Sequence, residues 1–250
     1  MLRALTRTRP GNGDKSELFV RGGPRGVLCV HGFTGTPFEV RPLAEALAGR
    51  GYTVLAPVLA GHGGTIDDLV RTSWPDWLTS VSVALDRLIA AVSGGPVAVA
   101  GFSLGGLLTL RLARLRPADL AAMAIIGAPL RLRPYQVSAV RALCRLPAVL
   151  RRGPLAVLPK FGGYDVTDTE MKRQNPGLSG MPITGINSLI DLGEVVRRDL
   201  PDVRTPALPP VDIEPHTRFR LICSLGDANS AVTLFQSQSS SSATSCANAV

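Results

Sequence analysis

A serine stands between two glycines in Gly101-Phe102-Ser103-Leu104-Gly105. A serine hydroxyl at its ordinary pKa is a weak nucleophile, so chemistry at Ser103 needs a base to take its proton and donors to hold developing negative charge. The string alone is a weak signal; its placement is the strong one. The apolar run Pro96 to Ala100 precedes it and the helical run Gly106 to Leu115 follows it, so a buried strand turns into a helix at the serine, as a nucleophile elbow requires. In so tight a turn glycines at both flanks remove Cβ atoms that would collide with strand and helix. The hydroxyl is then held outward, and the N–H of Leu104 faces the same way.

A second apolar run, Val27 to Val30, leads into His31-Gly32-Phe33-Thr34-Gly35-Thr36-Pro37 and then an amphipathic helix from Phe38. Acyl transfer builds charge on a carbonyl oxygen, and each well-aimed N–H is worth about 3 to 4 kcal/mol to it. A Gly-rich turn after a strand can supply such a donor. The N–H groups of Phe33 and Leu104 are the candidate pair, while His31-Gly32 by itself also suits plain turn chemistry.

Several motifs resemble one family. His31-Gly32-Phe33-Thr34-Gly35, Gly51-Tyr52 entering a strand, Gly61-His62-Gly63, Trp74-Pro75-Asp76-Trp77 and Gly101 to Gly106 together resemble the α/β-hydrolases, and within them the bacterial carboxylesterases related to monoacylglycerol lipases. The resemblance is close from about Gly26 to Pro129, looser from Met171 to Leu208, and ends there. It implies a mainly parallel sheet flanked by helices with a small cap insertion, no cofactor or metal, and a small ester or monoacylglycerol substrate. It also implies an acyl-enzyme on Ser103.

The surrounding elements agree with that fold class. The pattern reads as strand 27–30, helix 38–49, strand 53–57, helix 74–92, strand 96–100, helix 104–115 and strand 121–126. Ser73 and Asp76 form a capping box for the second of these helices, 74–92, with Pro75 in its first turn, and Trp74 and Trp77 read as core residues at that helix start. From 130 to 184 prolines and glycines break the rhythm around one helical stretch near Gln136 to Arg145, which reads as the cap. A helix over 182–200 follows, and Val203 to Leu208 begins a further strand. The domain reading is a basic segment 1–18, a core 19–208, and a divergent tail 209–250 that includes a Ser-rich, disordered stretch without charge.

With 250 residues and 45% apolar content the chain is long enough for one α/β domain. Its net charge of +8 comes from 27 basic residues, of which only Lys15, Lys160 and Lys172 are lysines. The arginines are dispersed, so nucleic-acid binding is unsupported. One local concentration, Arg131 to Arg152, offers a lipid-surface contact or simply a solvated face. No apolar h-region or membrane-length run occurs, which points to a cytoplasmic protein. The four cysteines, Cys29, Cys144, Cys223 and Cys246, lack metal or disulfide spacing.

The partners of Ser103 are the gap. The fold's order is serine, then an acid, then a late histidine, yet the chain holds only His31, His62 and His216. His62, in a Gly-rich loop, reads as hydrogen-bonded to backbone. Asp212 and Asp227 are the acid candidates; His216 precedes Asp227 and follows Asp212 by only four positions, so neither pairing fits the order. The abrupt change after Leu208 suggests a shifted reading frame, and it keeps open a second reading, a catalytically impaired homologue that retains an acyl-binding pocket.

Overall fold

The computed structural model describes residues 13–147, 156–159 and 173–207. Within them a five-stranded sheet has the order β1-β3-β2-β4-β5, built from β1 (Leu18–Val20), β2 (Gly26–Val30), β3 (Thr53–Ala56), β4 (Val97–Phe102) and β5 (Ala122–Ile126). The last four run parallel, and β1 adds to β3 antiparallel. This is the doubly covered α/β sheet that the strand and helix alternation predicts. All five residues of β2 are buried, as expected of a central parallel strand with both faces covered.

Alternation along the strands sorts the core into two layers. Leu28, Val30, Leu55, Val97, Val99 and Met123 face the helices α3 (Trp74–Ala91) and α4 (Leu104–Leu115), while Val27, Cys29, Val54, Ala56, Ala100 and Ala124 face α1 (Arg41–Gly49). Burial pushes the Cys29 thiol up to about 12, so it packs as a small hydrophobe. Trp77 is fully buried and donates its Nε1–H to Thr72 Oγ1 at 3.0 Å, and Trp74 packs partly buried against the same core. The capping box is present: the Asp76 carboxylate accepts from Ser73 N–H and Oγ, both at 2.9 Å.

Three local differences from the sequence reading have physical causes. The helix expected from residue 38 begins as a 3-10 turn, Pro37–Glu39, and α1 starts only at Arg41, because Pro42 has no N–H to continue an earlier helix. The short α2 (Ile66–Val70) was not foreseen; it is nucleated by a capping box between Thr65 and Asp68 rather than by apolar periodicity. The three-residue β1 was also missed, being too short to show alternation.

After β5 the chain leaves the sheet. The excursion contains α5 (Pro134–Arg145) and a small antiparallel pair, β6 (Val157–Pro159) with β7 (Gly180–Pro182), and returns through α6 (Ile183–Asp199). Arg141 on α5 bonds Glu194 at 2.8 Å and Asp191 at 3.0 Å on α6, so this arginine is engaged within the fold rather than presented outward. Ala207 then pairs in parallel with Met123 of β5, where the next strand was expected to begin. Among the described residues no helix is long and apolar enough to cross a membrane. The basic segment up to residue 12, Arg151, Arg152 and the tail from Leu208, where the sequence leads one to expect the fold's last strand and helix to be missing or altered, lie outside the described residues.

One contact between layers is unusually close. A Cβ on Gly105 would lie 2.7 Å from the Val30 carbonyl carbon and 2.9 Å from the His31 oxygen, so the first turn of α4 rests directly on the backbone at the end of β2. Gly105→Ala should therefore destabilise by about 3 kcal/mol, the upper range for overpacking, read as a lowered urea midpoint with unchanged slope.

Candidate active site

Ser103 joins β4 to α4 at φ +53°, ψ −113°. A side chain at positive φ is sparsely populated and strained by roughly 1 to 3 kcal/mol, and such residues concentrate where function holds them. Here the neighbours hold it. Ser103 N–H donates to the Ile126 carbonyl at the end of β5 at 2.8 Å, and Ser103 O accepts from Gly106 and Leu107 in the first turn of α4. A Cβ on Gly101 would collide with the Gly105 carbonyl and Thr109 Oγ1. The two glycines flanking the serine are therefore both required by space, as their spacing predicts.

The loop after β2 lies alongside. A Cβ on Gly32 would come within 3.4 Å of Ser103 Cβ and 3.3 Å of the Phe102 ring, which places the His31–Thr36 turn against the serine. Thr34 in this turn is also left-handed, at φ +61°, and its Oγ1 donates to the Phe33 carbonyl at 2.6 Å. Among the described residues no hydrogen bond uses the N–H of Phe33 or of Leu104. Leu104 opens α4, whose first N–H groups and positive dipole end favour negative charge.

Sequence reasoning missed Glu39. Its carboxylate accepts the Gly32 N–H at 3.1 Å and fills the space above Gly35, where a Cβ would strike it. The signal was present as an acidic residue in the short turn after Thr36-Pro37, inside a segment read only for apolar periodicity.

His31 and His62 lie together but serve the backbone. The His31 Nε2 accepts from Leu59 N–H at 3.2 Å, so its Nδ1 carries the proton and donates to the Gly32 carbonyl at 2.9 Å. Both ring nitrogens are engaged, and His31 is unsuited to take a proton from Ser103. The His62 Nδ1 lies 3.0 Å from the Ala60 carbonyl, in keeping with the loop role expected for it. The rings of His31, His62, Phe33 and Trp77 form one cluster of edge-on and tilted contacts, with centroids 5.2 to 6.0 Å apart, in which Phe33 is only partly buried. His216, Asp212 and Asp227 lie outside the described residues. Among the described residues no cluster of His, Cys, Asp or Glu could hold a metal ion.

Burial, with the neighbouring His62 ring second, pushes the pKa of His31 down to about 3. In the unfolded chain the ring titrates near 6.5, so below that pH the unfolded state binds a proton that the folded state refuses. The neutral ring's contribution to stability is complete above about pH 6.5 and falls by about 1.4 kcal/mol per unit as pH drops toward 3. His31→Gln should be less stable at pH 7 and should lose stability between pH 6.5 and 4 with a slope smaller by one proton, measured by urea unfolding at each pH.

Comparison with known proteins accords with this geometry. Over 99 residues the chain is 48% identical to the thermostable monoacylglycerol lipase of Bacillus sp. (strain H-257), covering 40% of this chain and 39% of that protein. Over 92 residues it is 40% identical to the carboxylesterase of Bacillus subtilis (strain 168), covering 37% of each. The matched stretch thus spans about two fifths of these relatives. A solved structure from the study of LipS and LipT, two metagenome-derived lipolytic enzymes, superposes with TM-score 0.68 at 31% identity, covering 79% of this chain and 75% of that one. The Paleococcus ferrophilus monoacylglycerol lipase shares the fold at TM-score 0.59 and 19% identity, over 76% of this chain and 74% of its own. The model of the alpha/beta hydrolase family matches residues 27–241, past the point where the motif resemblance ends. With its sheet order, its strained serine at the β4–α4 turn and this match over most of its length, the chain belongs to the alpha/beta hydrolase family.

Proposed function

We propose that the chain is a serine hydrolase of carboxylic esters, with short- or medium-chain acyl esters or monoacylglycerols as substrates. The observation that carries this reading is the left-handed Ser103 held between β4 and α4 with the Gly32–Phe33 turn beside it. The relatives named as lipases and esterases support the substrate class.

In this mechanism the Ser103 Oγ attacks the ester carbonyl carbon and gives its proton to a base. The carbonyl oxygen becomes an oxyanion that accepts from the N–H groups of Phe33 and Leu104. Collapse restores the carbonyl and expels the alcohol, which takes the proton back. Water then repeats the sequence on the acyl-enzyme and releases the acid. Because Leu104 N–H belongs to a helix N-terminus fixed on β2 through Gly105, this donor does not reorganise as charge develops, which is where such donors gain their effect. Lipid contact through the basic excursion is not part of this proposal, since Arg141 already has two carboxylate partners.

A specific observation favours the second reading, an impaired homologue. His31 has both nitrogens committed to backbone and His62 Nδ1 lies against the Ala60 carbonyl, while His216, the remaining histidine, stands where the order of the fold does not expect its base. Without a base, binding and the oxyanion donors alone retain on the order of 10³ to 10⁴ over water.

Two measurements separate these readings. Hydrolysis of p-nitrophenyl butyrate should vanish in Ser103→Ala at an unchanged thermal midpoint; turnover persisting there would show that another group attacks. Replacing residues 209–250 with the corresponding segment of an intact relative, which brings an acid and a late histidine, should raise kcat by orders of magnitude if the native chain is impaired. Native turnover near the typical 10 s⁻¹ would instead mean that this chain supplies its own base.

A further inference from the structure

The turn that carries Phe33 is held on two sides, and only one of them belongs to the sheet. From the core, Glu39 accepts Gly32 N–H and His31 holds the Gly32 carbonyl. From the other side the contacts come from the return arm of the excursion and from α6. Leu178 N–H donates to the Thr34 carbonyl at 2.8 Å, on a residue already held left-handed. The Phe33 ring lies against Gly185 in the first turn of α6, where a Cβ would sit 2.6 Å from Phe33 Cζ and 3.0 Å from Cε2. The ring has limited room to retreat, since Trp77 stands 5.6 Å and His62 6.0 Å away between centroids. Gly185 is buried, and three residues on from it Ser188 Oγ accepts from Trp74 N–H at 2.7 Å, tying α6 to the start of α3.

We propose that Leu178 and Gly185 are positioning residues for the oxyanion donor, so that the return arm and α6 set the aim of the Phe33 N–H and a shift of the excursion changes transition-state binding. This rests on the reading of Ser103 as nucleophile and Phe33 N–H as donor. The physical argument is one of constraint. Within itself the turn is closed by one bond, Gly35 N–H to the Gly32 carbonyl at 3.1 Å, and its left-handed threonine persists only because the surroundings hold it. Its aim is fixed by what touches it, and a displacement of a few tenths of an ångström at a donor weakens a bond to a charged oxygen steeply. Gly185 is needed for the space a side chain would take, not for its backbone freedom. The excursion would in this way belong to the catalytic apparatus and not only to the walls of a pocket.

The test measures affinity for a small arylboronic acid, which reports oxyanion stabilisation even if the general base is missing. The Ser103 Oγ lone pair enters the empty boron orbital, the hydroxyl proton leaves to solvent, and the tetrahedral boronate carries the negative charge; no bond to boron breaks. Gly185→Ala should weaken boronate binding roughly tenfold, a fraction of the 10² to 10³ lost when a donor is removed outright. Its thermal midpoint should fall, as displacing a confined ring requires, but affinity for a neutral ketone of the same shape should hold within twofold. In a Phe33→Leu background, which gives the new methyl room, the further loss on adding Gly185→Ala should shrink to under twofold. Leu178→Pro, which deletes the N–H given to Thr34, should weaken the boronate and spare the neutral ligand in the same way, and it decides the matter if Gly185→Ala does not fold. Equal boronate affinity in the variants and the native chain, or an equal loss for boronate and neutral ligand, would overturn the proposal. Undiminished boronate binding in Ser103→Ala would instead refute the nucleophile reading beneath it.

Discussion

The structure depends on how closely α4 approaches the end of β2. With only a hydrogen at Gly105, the helix backbone rests on the Val30 carbonyl, and that approach fixes three things together. It forces the strained geometry of Ser103, which must reverse the chain within one residue. It directs the N-terminal N–H groups of α4 to the carboxyl ends of the parallel strands, the usual place for a site in such sheets. It also brings the turn after β2 within contact of the serine. The strain at Ser103 persists because Ile126 O, Gly106 N–H and Leu107 N–H all hold it, so the surrounding hydrogen bonds over-determine a conformation the residue would not choose alone.

Much of this was legible from the residues because it follows from periodicity and from glycine spacing. The strands over 27–30, 53–57 and 96–100 are apolar runs of the length buried parallel strands need, and α4 was bounded to the residue because Ser103 and Arg116 stop it on either side. What escaped was either too short or too distant in the chain. β1 and the β6–β7 pair have three residues each, too few for alternation to register. The carboxylate of Glu39 on Gly32 is a matter of how a 3-10 turn folds back, and no propensity reports it. The contact between Phe33 and Gly185 joins residues about 150 positions apart, so only the folded chain reveals it.

Arginine usage has a similar explanation. The bond from Arg111 to Asp199 at 2.6 Å ties α4 to the end of α6, and Arg141 with Asp191 and Glu194 ties α5 to the same helix. Half-exposed pairs of this kind contribute little each, about 0 to 1 kcal/mol, but the planar guanidinium fixes orientation as well as distance. Part of the positive charge spread along the sequence thus resolves in space into links between helices, and of the nine ion pairs among the described residues α6 takes part in three.

The edge strand β1 has a consequence for how molecules meet one another. An antiparallel strand at the border of a sheet offers unpaired backbone groups to any passing extended chain. Here that border is three residues long, is followed by Arg21, Gly22 and Gly23, and carries Phe19 with the Arg21 guanidinium 5.6 Å above its ring. A second sheet would find little ladder to extend and a charge where it needs a flat apolar face. The side of the fold farthest from β5 is in this way closed to lateral growth, and the parallel strands behind it are shielded from the pairing to which their own backbone groups would lend themselves.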